Sequence, residues 1–315
     1  MASLEGRERM AEAAEGELLW PEVGSNDFLK FDFGGTAYEA ELKRNQARAK
    51  NLSAIKCLVK TLSPATGTSG AGLRVMWMEH DFAFFGGSLG CAEGEKLTRG
   101  FEYAIQHRLP VIIKCASGGA RMHEGTLSLM QMAKISCAVA ALSAAGLPFL
   151  TLLVDPCYGG VSASYAMQSD VRIGAVKGRL GFSGPQVILN TQYGMNQGAY
   201  DRACPDQFQS NEYGVQHGFV DMVVPVEELE AAAWQALSVL VAKPLPPPIA
   251  DLKVVEFASG EADYMKSRLL ERYDSTDIAS QLASLYMELG GDGKGPNGLD
   301  KCLRCGFFTL KRGRH

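Results

Sequence analysis

Several common protein signatures are missing from this chain. No Walker-type lysine motif occurs, and no G-x-G-x-x-G opens a helix after a strand, which excludes nucleotide sites of those two kinds. No apolar run approaches the roughly 20 residues that a membrane span requires. The start, MASLEGRERMAEAAEGELLW, is acidic and has no apolar core, so neither a secretory signal nor a transit peptide is expected, and a cytoplasmic location is. A strong charge of either sign is also lacking. Lys and Arg total 31 against 35 for Asp and Glu, a net −4, which argues against nucleic acid or a membrane surface as partner. Zinc-ligand spacing is absent as well. Only Cys302 and Cys305 form a C-x-x-C pair, His315 is the sole nearby histidine, and a structural site needs four ligands. No bound metal is therefore expected. The other six cysteines stand singly, several within apolar segments, as small hydrophobes do.

What remains is the composition of a globular protein with a sizeable core: 315 residues, 46% hydrophobic and 21% charged. Residues 1–37 read as a poorly ordered extension. Residues 38–243 read as the folded domain, opening with a charged helix from Tyr38 to Ala54 on which Leu42 and Leu52 are the sparse apolar points. Residues 244–315 read as a Pro-rich break, "KPLPPPIA", then a helical stretch near Tyr264 to Leu289 and a Gly-rich, basic tail. Between Leu73 and Val224 short apolar strands alternate with helices, which predicts an α/β fold with a mostly parallel sheet.

Two strand-turn-helix units share one design. The first runs from Val111 to Ala116 through Ser117-Gly118-Gly119-Ala120 into a helix from Met122 to Ala145. The second runs from Phe149 to Val154 through Asp155-Pro156-Cys157-Tyr158-Gly159-Gly160 into a short helix over Ala163 to Met167. In each, a glycine pair stands where the first N–H groups of a helix lack internal partners. Glycine admits close approach of a ligand, and the helix start favours negative charge. Two such turns meeting at one point make an oxyanion site from backbone alone. A third glycine turn, Gly86-Gly87-Ser88-Leu89-Gly90, lies upstream. The helix between the main turns, "LSLMQMAKISCAVAAL", is apolar almost all round, which predicts burial, with Met130 and Met132 in the core and Lys134 as its one awkward charge.

The blocks "ASGGARMHEGTLSLMQMAKIS", "GLPFLTLLVDPCYGGVSASYAMQSDV", "GRLGFSGPQVI", "DFAFFGGSLGCAEGEKLTRGFEYA" and "YEAELKRNQARAKN" closely resemble the β-type carboxyltransferase subunit of bacterial and plastid acetyl-CoA carboxylase. The likeness spans about Tyr38 to Val224. It implies a crotonase/Clp-like spiral of βαβ units and carboxyl transfer from carboxybiotin, held on a biotin carboxyl carrier protein, to acetyl-CoA or another short acyl-CoA. It further implies an α-type partner subunit, an oligomer, and a cytoplasmic or plastid setting. Carried over from the resemblance, the oxyanion donors are the backbone N–H groups of Gly118, Gly119, Ala120, Gly159, Gly160 and Val161. Gly86, Gly87, Ser88 and Arg121 are candidate CoA contacts. Bacterial members carry a zinc ribbon ahead of this region, whereas the first 56 residues here hold no cysteine. "LYMELGGDGKG", Leu285 to Gly295, faintly resembles the start of the α half, so the partner is either a separate chain or the sequence is incomplete.

Other readings stay open. A crotonase-type hydratase or decarboxylase needs acidic groups near the acyl chain, and Glu124 is one candidate. A Clp-like peptidase would use Ser162 or Ser164 with His123, His217 and Asp221, although G-V-S-A-S is not a G-x-S-x-G elbow. A non-catalytic assembly subunit would keep the fold without the activity. Lys96 and Arg99 read as a solvated helix face rather than CoA contacts, Asp155-Pro156 as shaping the second turn, and Gly181 to Pro185 as pocket wall.

Overall fold

The computed structural model describes residues 16–27, 29–33, 35–64 and 69–242. The Pro-rich break, the stretch from Tyr264 to Leu289, the segment resembling an α half and the C-x-x-C pair all lie outside the described residues. The chain begins with β1 (Glu17–Leu19), then β2 (Asp32–Phe33) and β3 (Thr36–Ala37), which pair only with each other. Helix α1 (Tyr38–Ala49) follows, then β4 (Ile55–Leu62) and β5 (Leu73–His80). Next come α2 (Cys91–His107), β6 (Val111–Ser117), α3 (Thr126–Ala144), β7 (Phe149–Cys157), the one-turn α4 (Gly159–Ser162) and β8 (Val171–Ala175). Three short helices, α5 (Pro185–Tyr193), α6 (Gln197–Ala203) and α7 (Asn211–Gln216), precede β9 (Met222–Val224) and α8 (Leu229–Ala242).

Seven strands form one sheet in the order β1-β4-β5-β6-β7-β8-β9. From β5 to β9 every pairing is parallel, and β4 and β1 close one edge antiparallel. This is the expected α/β class with a mostly parallel sheet. Strand period decides which face each side chain covers. Met76, Met78, Cys57 and Val59 join α2 and α3 on one face, through Leu97, Phe101, Ile135 and Leu142. Val75, Trp77, Leu58 and Ile112 join α8 on the other, through Ala233, Trp234 and Leu237. The helices therefore hold the sheet from both sides; β6 and β7 pair in register from Val111 to Cys115, and the register shifts before Ser117 meets Cys157.

Several boundaries differ from the sequence expectation, each for a local reason. Residues from Gly16 onward are not loosely attached: β1 adds to the sheet edge with Leu18 opposite Leu58, and Trp20 meets the Tyr103 ring edge-on. Helix α1 stops at Ala49 because Lys50 is left-handed (φ 53°), and Leu52 beyond it is exposed rather than packed. The run from Met122 is broken at Gly125 (φ 55°), so Met122–Glu124 form a single 3-10 turn and α3 starts at Thr126. Strand β7 continues through Asp155 and Pro156 to Cys157, which pairs with Ser117.

The largest departure is α3 itself. Its inner face is buried through Ser128, Ile135, Ala138, Val139 and Leu142. Leu129 and Met130 are 49% and 62% exposed, and Met132 is only partly covered. At 19 residues and mean hydropathy 1.4 it is long and apolar enough, by length and composition only, to cross a membrane. It packs against α2 instead, and Lys134 forms an ion pair with Glu95 on that helix.

Candidate active site

The two glycine turns meet at the ends of β6 and β7. Gly119 has φ 114°, and a Cβ added there would lie 3.1 Å from Gly159 Cα and 3.3 Å from Gly160 N. A Cβ added at Gly160 would lie 3.3 Å from Ala120 Cβ and 3.4 Å from Ala120 N. Such close backbone approach is why the sequence omits side chains at both positions.

The six amides carried over from the resemblance are not equally available. Gly118 N–H donates to Gly86 O (2.9 Å), Gly159 N–H to Phe182 O (2.9 Å) and Val161 N–H to Tyr158 O (3.3 Å). Those three are engaged in holding the turns together, which removes them as donors to a ligand. Gly119 N–H points at its neighbour Ser117 Oγ (3.1 Å). Ala120 N–H and Gly160 N–H, one from each turn, have no acceptor among the described residues. Both neighbouring segments brace this pair. The upstream turn crosses by Leu89 N–H to Gly119 O and Arg121 N–H to Leu89 O, both 2.8 Å. The Gly181–Pro185 segment braces the other side, since Ser162 Oγ donates to Gly181 O (2.7 Å) and Phe182 O receives the Gly159 bond.

Behind the first turn lies a buried ionic cluster that the sequence did not announce. Arg121 is 1% exposed. Its guanidinium contacts Glu93 Oε1 at 2.7 Å and Glu124 Oε1 at 3.2 Å, and donates to Ser88 Oγ, Ser88 O and Ser25 Oγ. Tyr38 OH donates to Glu124 Oε1 (2.7 Å). Burial alone would raise the Glu93 carboxyl, but the guanidinium more than offsets it and leaves it below the usual carboxylate range. Burial raises the Tyr38 hydroxyl well above an ordinary phenol, so it stays a donor.

The cluster corrects several readings. Arg121 and Ser88, offered by the resemblance as CoA contacts, face each other inside the protein, and their polar groups are engaged there. Gly87 is buried, has φ 65° and packs so that a Cβ would overlap Ala116 O; it serves the turn's packing rather than a ligand. Gly86 O is engaged by Gly118 N–H, which makes it a brace too. Glu124 accepts from Tyr38 OH and Cys91 N–H and does not face an acyl site. Lys96 is 4% exposed, not on a solvated face, while Arg99 pairs with Glu95 at the surface. Ser162 and Ser164 donate to backbone carbonyls; Asp221 pairs with Arg172, His123 with Glu41, and His217 with Tyr213 O. No Ser-His-Asp constellation exists among these residues.

His80 supports the upstream turn from below. One ring nitrogen meets Gly87 O (2.8 Å) and the other Tyr165 OH (2.7 Å), so the neutral ring donates to the carbonyl and accepts from the phenol. Burial lowers its pKa from 6.5 to about 4. A histidine depressed on folding binds its proton more readily when unfolded. Its contribution is therefore present above pH 6.5 and is lost as pH falls toward 4. We expect unfolding free energy to drop across that window by up to about 3 kcal/mol from this group. Denaturant titrations of His80→Asn should show a flatter dependence there. An unchanged slope would show that His80 is not the titrating group.

Among the described residues no group of three or more His, Cys, Asp or Glu side chains is placed to hold a metal.

Residues 33–221 match the carboxyl transferase domain family. The acetyl-coenzyme A carboxylase carboxyl transferase subunit beta of Pelobacter propionicus is 39% identical over 239 residues, covering 75% of this chain and 78% of that one. Its counterpart from Citrifermentans bemidjiense is 40% identical over 218 residues, 69% of this chain and 71% of the relative. A longer relative from Salinispora tropica, the subunits beta/alpha protein, is 50% identical over 155 residues, 49% of this chain and 26% of its own length. Among solved structures, a single-chain, multi-domain long-chain acyl-CoA carboxylase shares the fold at TM-score 0.52 and 18% identity, over 75% of this chain and 24% of that one. A Pseudomonas malonate decarboxylase hetero-tetramer in complex with malonate does so at TM-score 0.51 and 24% identity, over 65% and 77%. With the meeting of two glycine turns and these matches in hand, the chain belongs to the carboxyl transferase family and falls with its acetyl-CoA carboxylase β-type subunits.

Proposed function

We propose that the chain is the β-type half of an acyl-CoA carboxyltransferase, moving a carboxyl group from carboxybiotin to the α-carbon of acetyl-CoA or another short acyl-CoA, with malonyl-CoA the product from acetyl-CoA. The observation that carries this reading is the pair of unengaged amides, Ala120 N–H and Gly160 N–H, held side by side where two turns touch. Loss of an α-proton from a thioester puts negative charge on the carbonyl oxygen. Two preorganised donors stabilise that charge in the transition state more than the neutral ground state. Their rigidity comes from the Gly86, Leu89 and Phe182 bonds, so little reorganisation accompanies the reaction. Carboxybiotin, arriving on a carrier protein, would supply the carboxyl group: its N–carboxyl bond breaks as the bond to the α-carbon forms, the α-proton ends on the released biotin, and the reaction belongs in the cytoplasm.

The reading includes an α-type partner and an oligomeric assembly. The exposed stripe of α3, through Leu129, Met130, Ala133, Cys137 and Ala141, supports it, because an apolar face of that length is suited to burial against another subunit. The decisive experiment is a carboxyl-transfer assay with acetyl-CoA and propionyl-CoA, with and without a candidate α-type chain and with carboxybiotin. Malonyl-CoA formation dependent on the α chain is the expected result. No transfer under any combination would favour a non-catalytic assembly subunit. Met130→Glu should weaken co-purification with the α chain by at least about tenfold while leaving the fold intact, since it places a charge in an apolar contact. Unchanged association would exclude α3 as the contact face.

A further inference from the structure

Between the end of α1, the start of β4 and the middle of α2 lies a cavity of about 260 Å³ with a lining quite unlike that of the glycine turns. Lys50, Lys56 and Lys96 converge on it, together with Gln46, Asn51 and Ser53. No acidic side chain lines it.

Lys96 is the telling member. It is 4% exposed, and its ammonium has one described side-chain partner, the neutral Ser53 Oγ at 3.1 Å. No described carboxylate stands within 4.0 Å of Lys96, Lys56 or Lys50. The groups that face Lys96 electrostatically are Cys57, Glu93, Glu22 and Lys56. Glu93 is committed to Arg121 and to Ala54 N–H, Glu22 favours the charged form but forms no ion pair with Lys96, and Lys56 repels. Burial, the leading influence, pushes the Lys96 ammonium down from its ordinary value. A buried ammonium with no carboxylate partner is costly to hold charged, and an external anion offsets that cost. The three ammonium groups are the donors left for a compact ligand rich in acceptors, since Ser53 Oγ already donates to Ile55 O and the Gln46 and Asn51 amides to Ser25 O and Asp81 Oδ2. Lysine binds phosphate in this way, as a point charge with freely oriented N–H groups.

We propose that this cavity is a binding site for a phosphate group, with Lys96 at its base and Lys56 and Lys50 at its mouth. The group belongs either to a free phosphorylated small molecule or to the nucleotide end of an acyl-CoA. Only the second source rests on the function proposed above, and binding is measured without turnover.

The test is calorimetric titration of the full-length protein with inorganic phosphate at constant ionic strength, alongside Lys96→Met and Lys56→Gln. Saturable one-to-one binding is expected, weakened at least about tenfold in each variant by loss of a charge-assisted contact. Lys56 is half-buried, so its variant decides the matter if Lys96→Met folds poorly. Adenosine 3′,5′-bisphosphate, the nucleotide fragment of CoA, then separates the sources. Competition with phosphate, lost in the same variants, would assign the site to the CoA end. Phosphate binding that the bisphosphate does not displace would assign it to a separate ligand. No saturable phosphate binding, or equal affinity in all three proteins, would overturn the proposal.

Discussion

Gly160→Val should lower carboxyl transfer by about two to three orders of magnitude, the loss typical of removing one oxyanion donor. A backbone donor is not deleted by mutation, so the test works by obstruction. A Cβ at residue 160 falls 3.0 Å from Met132 Sδ, 3.3 Å from Ala120 Cβ and 3.4 Å from Ala120 N, in the space between the two unengaged amides. Branching at that carbon fills the space further. Circular dichroism should keep the parent's secondary structure, because the crowding lies outside the sheet, while thermal unfolding should move to lower temperature, because Gly160 is buried and its neighbours must give way. Ser162→Ala provides the contrast. Its hydroxyl only bridges Gly159 O and Gly181 O, so kcat should change by less than about tenfold. Retained activity in Gly160→Val with complete loss in Ser162→Ala would reject amide-based catalysis in favour of a serine nucleophile.

Arg121→Met should destabilise the protein by about 3–5 kcal/mol, the usual cost of removing one partner from a buried ion pair. The carboxylates of Glu93 and Glu124, at 0% and 2% exposure, are left without their cation. Arg121→Lys should recover only part of the loss, since one ammonium does not reach Glu93, Glu124, Ser25 and Ser88 together. Adding Glu93→Gln to Arg121→Met should restore stability relative to the single variant, because it removes an uncompensated buried charge. Arg121 touches no reacting group on this reading; its guanidinium positions the upstream turn through Ser88 Oγ and Ser88 O. In Arg121→Lys, kcat should therefore fall while KM for acyl-CoA changes little. A rise in KM at constant kcat would instead make Arg121 a substrate contact and contradict its burial.

Much of this arrangement was legible in the chain. Apolar strands, each followed by a glycine turn and a helix, were enough to foresee an α/β fold with a mostly parallel sheet. The resemblance carried by the same blocks pointed to carboxyl transfer. The apolar run at Val75–Met78 and the β-branched run at Val111 are local signals, and local signals survive folding. Boundaries were less legible where one residue's conformation decided them. Lys50 ends α1 with no glycine to mark the stop, and Gly125 divides a run that reads as continuous helix.

The sequence by itself determined that glycine pairs stand at two helix starts, that α3 is apolar nearly all round, and that a lone C-x-x-C lacks companions. Only the tertiary structure decided which amides remain available, since Gly118 and Gly159 are engaged by carbonyls from distant segments, Gly86 and Phe182. It alone turned Arg121, a candidate CoA contact in the sequence, inward, and buried Lys96, which reads as part of a solvated helix face, beside a cavity. It alone left Leu129 and Met130 uncovered on a helix whose composition predicts burial. The physical reason is common to all three. Periodicity states which residues share a face of their own element, whereas burial and hydrogen-bond engagement depend on which other element covers that face, and that is settled by contacts between residues far apart in the chain.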